Sequence, residues 1–267
     1  MKNEIIKVKL FINENVKSRR VAKKVRESLH KKGFQEVEED YSLAIAIGGD
    51  GSFLRMIKES NFNSDILYVG INAGTLGFAQ DIEISEIDSF IRCLKKGDYS
   101  YEKIGIGEAS IETLDSTSRF HFLNEVVIRD EELNTLGLDV LIDNNILENY
   151  IGDGLLIATS FGSTAYNLSF GGSIVYNTFH TMQITPIAPL NNKSYRTLLN
   201  SVIIPSEKVI TILPNRGEKN LMLMVDGDNK FYNNVEKITL SIPNKTIKVI
   251  RKKDYNFVQK INDKFLK

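Results

Sequence analysis

Near residue 100 the apolar pattern changes period, and nothing else in the sequence constrains the fold as strongly. Before that point short apolar runs alternate with amphipathic stretches. "KVKLFIN" (7–13) is followed by Val21, Val25 and Leu29 at intervals of four, then by "LAIAI" (43–47), "SFLRMIKES", "ILYVGIN" (66–72) and "ISEIDSFIRCLKKG". An interval of four marks one face of a helix, and an uninterrupted apolar run marks a strand covered on both faces. The order predicts an open parallel α/β domain over residues 1–100, with Gly33 and Gly97 stopping helices.

From Tyr101 onward the period is two, in "KIGIGEASIETL", "RFHFLNEVVIR", "GLDVLIDNNILENYI", "GLLIATS", "KVITILP", "NLMLMVDG", "KITLSIP" and "TIKVIRK". These runs predict a β-rich, sandwich-like domain over 101–267, with a hairpin turn in "IDNNIL". "YNFVQKINDKFLK" reads as a closing helix, about 255–267, expected to pack back on the first domain.

Composition narrows the function classes. Lys+Arg and Asp+Glu both number 34, so the chain of 267 residues has no net charge to coat nucleic acid or a membrane surface. The one cysteine, Cys93, makes no internal disulfide and predicts a reducing compartment; its helix-end context reads as a buried thiol. The first residues lack the apolar core of a secretory leader, and no window approaches the roughly 18 apolar residues of a spanning helix. A cytoplasmic protein without nucleic-acid or membrane partners is expected. The basic face of the first helix (Lys17, Arg19, Arg20, Lys23, Lys24, Arg26) reads either as a solvated face or as a phosphate-attracting one.

Five loops carry candidate chemistry. Gly48-Gly49-Asp50-Gly51 stops the strand "LAIAI", where ligands of α/β sheets bind; glycines and a helix N-terminus suit phosphate, whereas Asp50 reads equally as a turn cap or a working carboxylate. "NAGTLGFAQD" (72–81) is a second loop past a strand end. Asn124-Glu125 interrupts an apolar strand, either as an exposed bulge or as a pair suited to ribose hydroxyls. In "IGDGLLIATSFGSTAYNLSFGGSI" (151–174), Ser163 or Thr164 is placed to cap a short helix whose N–H groups face a ligand. "MVDGD" (224–228) reads as a type I turn or as a site residue, Asp226. His30, His121 and His180 have no metal-ligand spacing, and no Ser-His-Asp arrangement emerges.

Taken in order, Gly48–Gly51, Asn72–Phe78, Asn124-Glu125 and "GDGLLIATSFGSTAYN…GG" resemble the NAD kinase family over nearly the whole chain. The glycine turn alone is shared with lipid kinases and phosphofructokinase-type kinases; the long serine-rich segment is far more specific. The resemblance implies transfer of a phosphoryl group from ATP, or polyphosphate, to the adenosine ribose 2′-hydroxyl of NAD, with Mg²⁺ or another divalent ion. It implies a homo-oligomer, dimer or tetramer. It places Asp50 at the hydroxyl that reacts, Gly48, Gly49 and Gly51 against phosphates, and Phe78 near the adenosine. Asn124 and Glu125 would bind the ribose and adenine side, and Asp153 the nicotinamide end. Ser160, Ser163, Thr164, Ala165 and Tyr166 would line the NAD pocket, with Asp226 near it. Ala188 and Leu190, in "ITPIAPLNNKSYRT", would reach a neighbouring subunit's site.

Two positions depart from the family pattern. The first motif continues Gly51-Ser52 where Thr is usual, which keeps a hydroxyl. Ile151 stands where Arg or Gly is frequent, at a position the resemblance links to the choice between NAD and NADH, so NADH use stays open. A lipid kinase would need an apolar acceptor pocket that the sequence does not present. An inactive nucleotide-binding regulator would bind NAD without turnover; the acidic residues at 50, 125, 153 and 226 weigh against it.

Overall fold

The run Leu43–Gly48 is buried at every residue and pairs in parallel with a strand on each side, Lys7–Ile12 and Leu67–Asn72. A strand with no solvent face has no need of alternation, which accounts for its wholly apolar sequence. It belongs to a computed structural model that describes residues 6–74, 77–215 and 220–267. The chain divides into two compact units, Met1–Lys103 with Thr246–Lys267, and Ile104–Lys245.

The sheet of the first unit has six strands in the order Gln35–Glu36, Lys7–Ile12, Leu43–Gly48, Leu67–Asn72, Thr246–Arg251, Ser100–Gly105. The helix Val16–Lys31 starts where the Asn15 side chain accepts from Ser18 N (2.8 Å) and buries Val21, Val25 and Leu29. Gly33 (φ 74°) and Gly97 (φ 70°) take the left-handed conformation past two helix ends, as expected. Two members of the basic face are spent inside the unit: Arg26 pairs with Glu36 (2.9 Å) and Lys24 donates to Ile84 O. Cys93 is half-buried rather than buried, because it sits at the margin of its helix's apolar stripe.

The strand Thr246–Arg251 departs from expectation. Its sequence extends the β-rich pattern, yet it lies in the first unit's sheet, parallel to Leu67–Asn72 with Lys248 opposite Leu67. Period two identifies a strand but not the sheet that receives it. The helix Phe257–Phe265 follows in the same unit, capped by Asn256, whose side chain accepts from Gln259 N at 3.1 Å.

The second unit contains two six-stranded sheets, antiparallel throughout the described residues. Ile111, Leu138, Tyr150 and Ile238 of one sheet share a core with Ile128, Ile157, Ile184 and Leu223 of the other, the sandwich arrangement expected. Asp143 (φ 48°) and Asn144 (φ 66°) form the two-residue hairpin turn between Leu136–Ile142 and Asn145–Gly152. "RFHFLNEVVIR" is not one strand. Thr117–Phe122 and Glu125–Asp130 belong to different sheets, and the chain changes sheet at Leu123-Asn124.

Candidate functional site

In the first unit the site begins where Leu43–Gly48 gives way to the helix Asp50–Glu59, with Gly49 at the cap position. Asp50 does not cap its own helix. Its Oδ2 accepts from Phe78 N (3.1 Å) and its Oδ1 from Ala79 N (2.9 Å), so the carboxylate joins the first glycine loop to the second. Gly77 makes that approach possible, since a Cβ there would collide with the Asp50 carboxylate and with Gln80. Thr75 and Leu76 of the second loop lie outside the described residues. A Cβ on Gly49 or Gly51 would meet no described atom within 4 Å, so backbone stands open beside the half-exposed Asp50 side chain. Gly48 differs: a Cβ there would strike Ser52, whose hydroxyl accepts from Asn13 Nδ2 (3.2 Å).

The closing helix supplies the rest of this surround. Lys264 Nζ lies 3.3 Å from Asp50 Oδ2 and 5.2 Å from the Phe78 ring centroid. Phe78 is buried, with Phe265 at 5.3 Å and Phe257 at 6.1 Å between ring centroids. Behind it Asp81 pairs with Lys260 and with Arg251 (2.7 Å), and Arg251 pairs with Glu102 (2.8 Å). Burial alone would lower the Arg251 pKa, but Asp81, Tyr255 and Glu102 raise it; for Lys260 burial prevails over Asp81 and lowers it. None of these partnerships was legible as a site, because charges on a terminal helix look like a solvated face.

In the second unit Asp226 is buried and faces backbone. Its Oδ2 accepts from Leu123 N (2.8 Å) and its Oδ1 from Asn124 N (2.7 Å) and Glu125 N (3.2 Å). It therefore fixes the corner where the chain changes sheet. Asp226 (φ 48°) and Gly227 (φ 85°) form the two-residue turn between paired Val225 and Asp228, a type I′ geometry and not the type I expected. Thr159 Oγ1 donates to Leu123 O (2.6 Å), and a Cβ on Gly162 would strike the Asn124 backbone. Thus Asn124, Glu125, Ser160 and Gly162 gather at one place. Replacing Asp226 by Asn should cost about 2 kcal/mol, since one carboxylate oxygen becomes a donor facing N–H groups. The measurement is urea unfolding; an unchanged midpoint would remove Asp226 from the corner.

The segment after Ser160 corrects one expectation. Residues Phe161–Thr164 form a single 3₁₀ turn and Tyr166–Ser169 one helical turn, with no side-chain cap on either. The Ser163 hydroxyl is spent on Val175, donating to its carbonyl (3.2 Å) and accepting from its N–H (3.0 Å). Elements this short align too few peptide dipoles to attract an anion. Thr164 and Ala165 are half-buried and Tyr166 is exposed, its ring 4.8 Å from Phe170. The loop's shape comes from residues the sequence did not single out. Asn167 is wholly buried, donates to Ser163 O (3.2 Å) and accepts from Thr185 Oγ1 (2.6 Å), while Gln183 accepts from Ser173 N (2.7 Å).

Asp153, Ala188 and Leu190 do not join that group. The exposed Asp153 precedes the strand Gly154–Thr159, whereas Ser160 follows it, so roughly 20 Å of strand separates them at about 3.3 Å per residue. Buried Tyr150 braces the Asp153 turn by donating to Ile187 O (2.6 Å) and accepting from Gly154 N (3.1 Å); burial pushes its pKa up to about 12. Leu190 N donates to Ile151 O (2.8 Å), which sets Leu190 and Ala188 (φ 45°) at the same end. Among the described residues no three His, Cys, Asp or Glu side chains gather to hold a metal, and no helix is long and apolar enough to cross a membrane.

The family model of the ATP-NAD kinase N-terminal domain matches residues 3–99, and that of the ATP-NAD kinase C-terminal domain matches 123–251. The chain is 39% identical to the NAD kinase of Finegoldia magna, an alignment that covers all of both. Among solved structures it resembles yeast NADH kinase complexed with NADH at a TM-score of 0.87 and 21% identity, covering 98% of this chain and 87% of the other. An NAD kinase from Archaeoglobus fulgidus in complex with ATP superposes at a TM-score of 0.75 with 18% identity, over 97% and 98% of the two chains.

Proposed function

We infer from one premise, that this chain belongs to the ATP-NAD kinase family, what its residues do. It is an enzyme that phosphorylates NAD with ATP to give NADP. The adenosine ribose 2′-oxygen forms a bond to the γ-phosphorus, the bond from that phosphorus to the bridging oxygen breaks, and ADP leaves. Such a transfer depends on positioning and charge far more than on covalent help from the protein.

One observation carries the assignment of Asp50 as the catalytic residue. Two backbone N–H groups of the second loop hold its carboxylate while its side chain stays half-exposed beside open backbone at Gly49 and Gly51. Asp50 accepts a hydrogen bond from the 2′-hydroxyl, aims its oxygen at the γ-phosphorus and takes the proton as the new bond forms. The N–H groups of Gly49 and Gly51 donate to phosphate oxygens, while Gly48, at the buried strand end, makes room for Ser52. The open backbone over Gly49 and Gly51 supports this role.

Asn124 and Glu125 take the ribose and adenine side. Ser160, Thr164, Ala165 and Tyr166 line the pocket, while Ser163 and Asp226 support it through the backbone they hold. The buried Phe78 contributes its ring edge to the adenosine. Asp153, Ala188 and Leu190 serve the nicotinamide end of a neighbouring copy's NAD in a homo-oligomer; their separation from Ser160 along Gly154–Thr159 supports that division. A divalent ion carried by the triphosphate would need few protein carboxylates, and when bound it would neutralise phosphate charge. The single cysteine supports the reducing cytoplasm as the compartment.

The test is NADP formation by the purified chain with ATP and NAD, then with polyphosphate and with NADH. NADP from ATP and NAD is the expected product. Tight NAD binding without turnover would overturn the reading in favour of a regulator.

A further inference from the structure

Four residues of the helix Phe257–Phe265 share one face at intervals of three, four and one: Phe257, Lys260, Lys264 and Phe265. All four touch the second glycine loop or Asp50. Phe257 and Phe265 pack on Phe78, Lys260 donates to Gln80 O and pairs with Asp81, and Lys264 reaches Asp50. The Lys264 ammonium lies over the Phe78 ring, on the residue whose N–H also binds Asp50 Oδ2. A pair this exposed adds little to stability, so its interest lies in what it does to the carboxylate.

A carboxylate offers about four acceptor positions, two on each oxygen. Phe78 N and Lys264 Nζ occupy Oδ2, and Ala79 N occupies one position on Oδ1. We propose that Lys264 is a positioning residue for the transfer. It fills Oδ2 with a charge-assisted contact, stops the carboxylate from turning about its Cβ–Cγ bond, and leaves one position on Oδ1 for the substrate hydroxyl. This rests on the reading of Asp50 as the group that receives that hydroxyl. Lys264 itself touches no reacting atom.

The experiment compares Lys264→Met, Lys264→Ala, Lys264→Arg and the neighbouring Lys267→Met, whose lysine pairs with Asp263 at 2.7 Å. In Lys264→Met kcat should fall about 10–100-fold, the effect of a misaimed group, with the KM for NAD changed by less than about threefold. Lys264→Arg should restore much of the loss, and ethylammonium should do so when added to Lys264→Ala, whose short side chain leaves it room, while Lys267→Met behaves as wild type. A kcat for Lys264→Met within about twofold of wild type overturns the proposal, and so does a loss that neither arginine nor ethylammonium repairs. A readout without turnover is the carboxyl-carbon NMR resonance of Asp50, identified by its disappearance in Asp50→Asn. It should move in Lys264→Met and not in Lys267→Met; an unmoved resonance overturns the proposal. A resonance that moves in Lys264→Met while the wild-type chain makes no NADP would instead overturn the role of Asp50 in catalysis and leave the pairing standing.

Discussion

Asp50→Asn is expected to lower kcat for NADP formation by about 10²–10⁴, the range for loss of one acid–base group. The amide keeps the shape of the side chain, so the backbone of Phe78 and Ala79 still meets an atom at each position. One of those atoms is now a donor, however, and the charge that holds Lys264 is gone. The acceptor offered to the 2′-hydroxyl becomes both weaker and misaimed. Binding of NAD, measured by calorimetry, should change less than about tenfold, because a group used mainly in the transition state contributes little to the ground state. Thermal stability should scarcely move, since Asp50 is half-exposed. A variant that keeps kcat within about tenfold of wild type would exclude Asp50 from the chemistry.

The second large effect falls on Asp81, whose side chain is 2% exposed and serves two cations, Arg251 and Lys260. Asp81→Ala leaves a buried guanidinium with Glu102 as its carboxylate partner and the Tyr255 ring beside it, and a buried ammonium with the carbonyl of Gln80 and the same ring. Breaking a buried pair in this way costs about 3–5 kcal/mol, much of it the burial of uncompensated charge. For a protein of this size that corresponds to a melting temperature lower by roughly 6–20 °C. Lys260→Met should cost less, because burial already disfavours the charged form of Lys260. Calorimetry of the two variants decides the matter. If Asp81→Ala melts with the wild type, the strand Thr246–Arg251 and the helix Phe257–Phe265 are held by their apolar contacts alone.

Most strands and helices of the first unit were legible because they bury a regular stripe or an unbroken run; Gln35–Glu36, exposed at both residues, gave no such signal. The direction of Asp50 was not. An aspartate after two glycines looks the same in sequence whether it caps its helix or reaches a loop 28 residues onward. "HFLNEVV" shows the same difficulty in a strand, since strand-forming residues flank Leu123-Asn124 on both sides while the chain passes from one sheet to the other. The signal at that corner was the polar pair itself, and its explanation is Asp226, about a hundred positions away. Lys264 and Asn167 carried no local signal, for their meaning lies in partners distant along the chain.

The first unit is discontinuous, its sheet receiving Thr246–Arg251 only after the chain has passed through Ile104–Lys245. On a ribosome adding 5–20 residues per second, Leu67–Asn72 waits on the order of ten seconds or more for that neighbour. During that interval the edge of Leu67–Asn72 that will pair with it lacks this partner, an invitation to mispairing. Lys264 emerges later still. A nascent chain therefore holds its glycine loops long before the helix that orders them, and premature termination within the second unit would release a product with Asp50 present and its clamp missing.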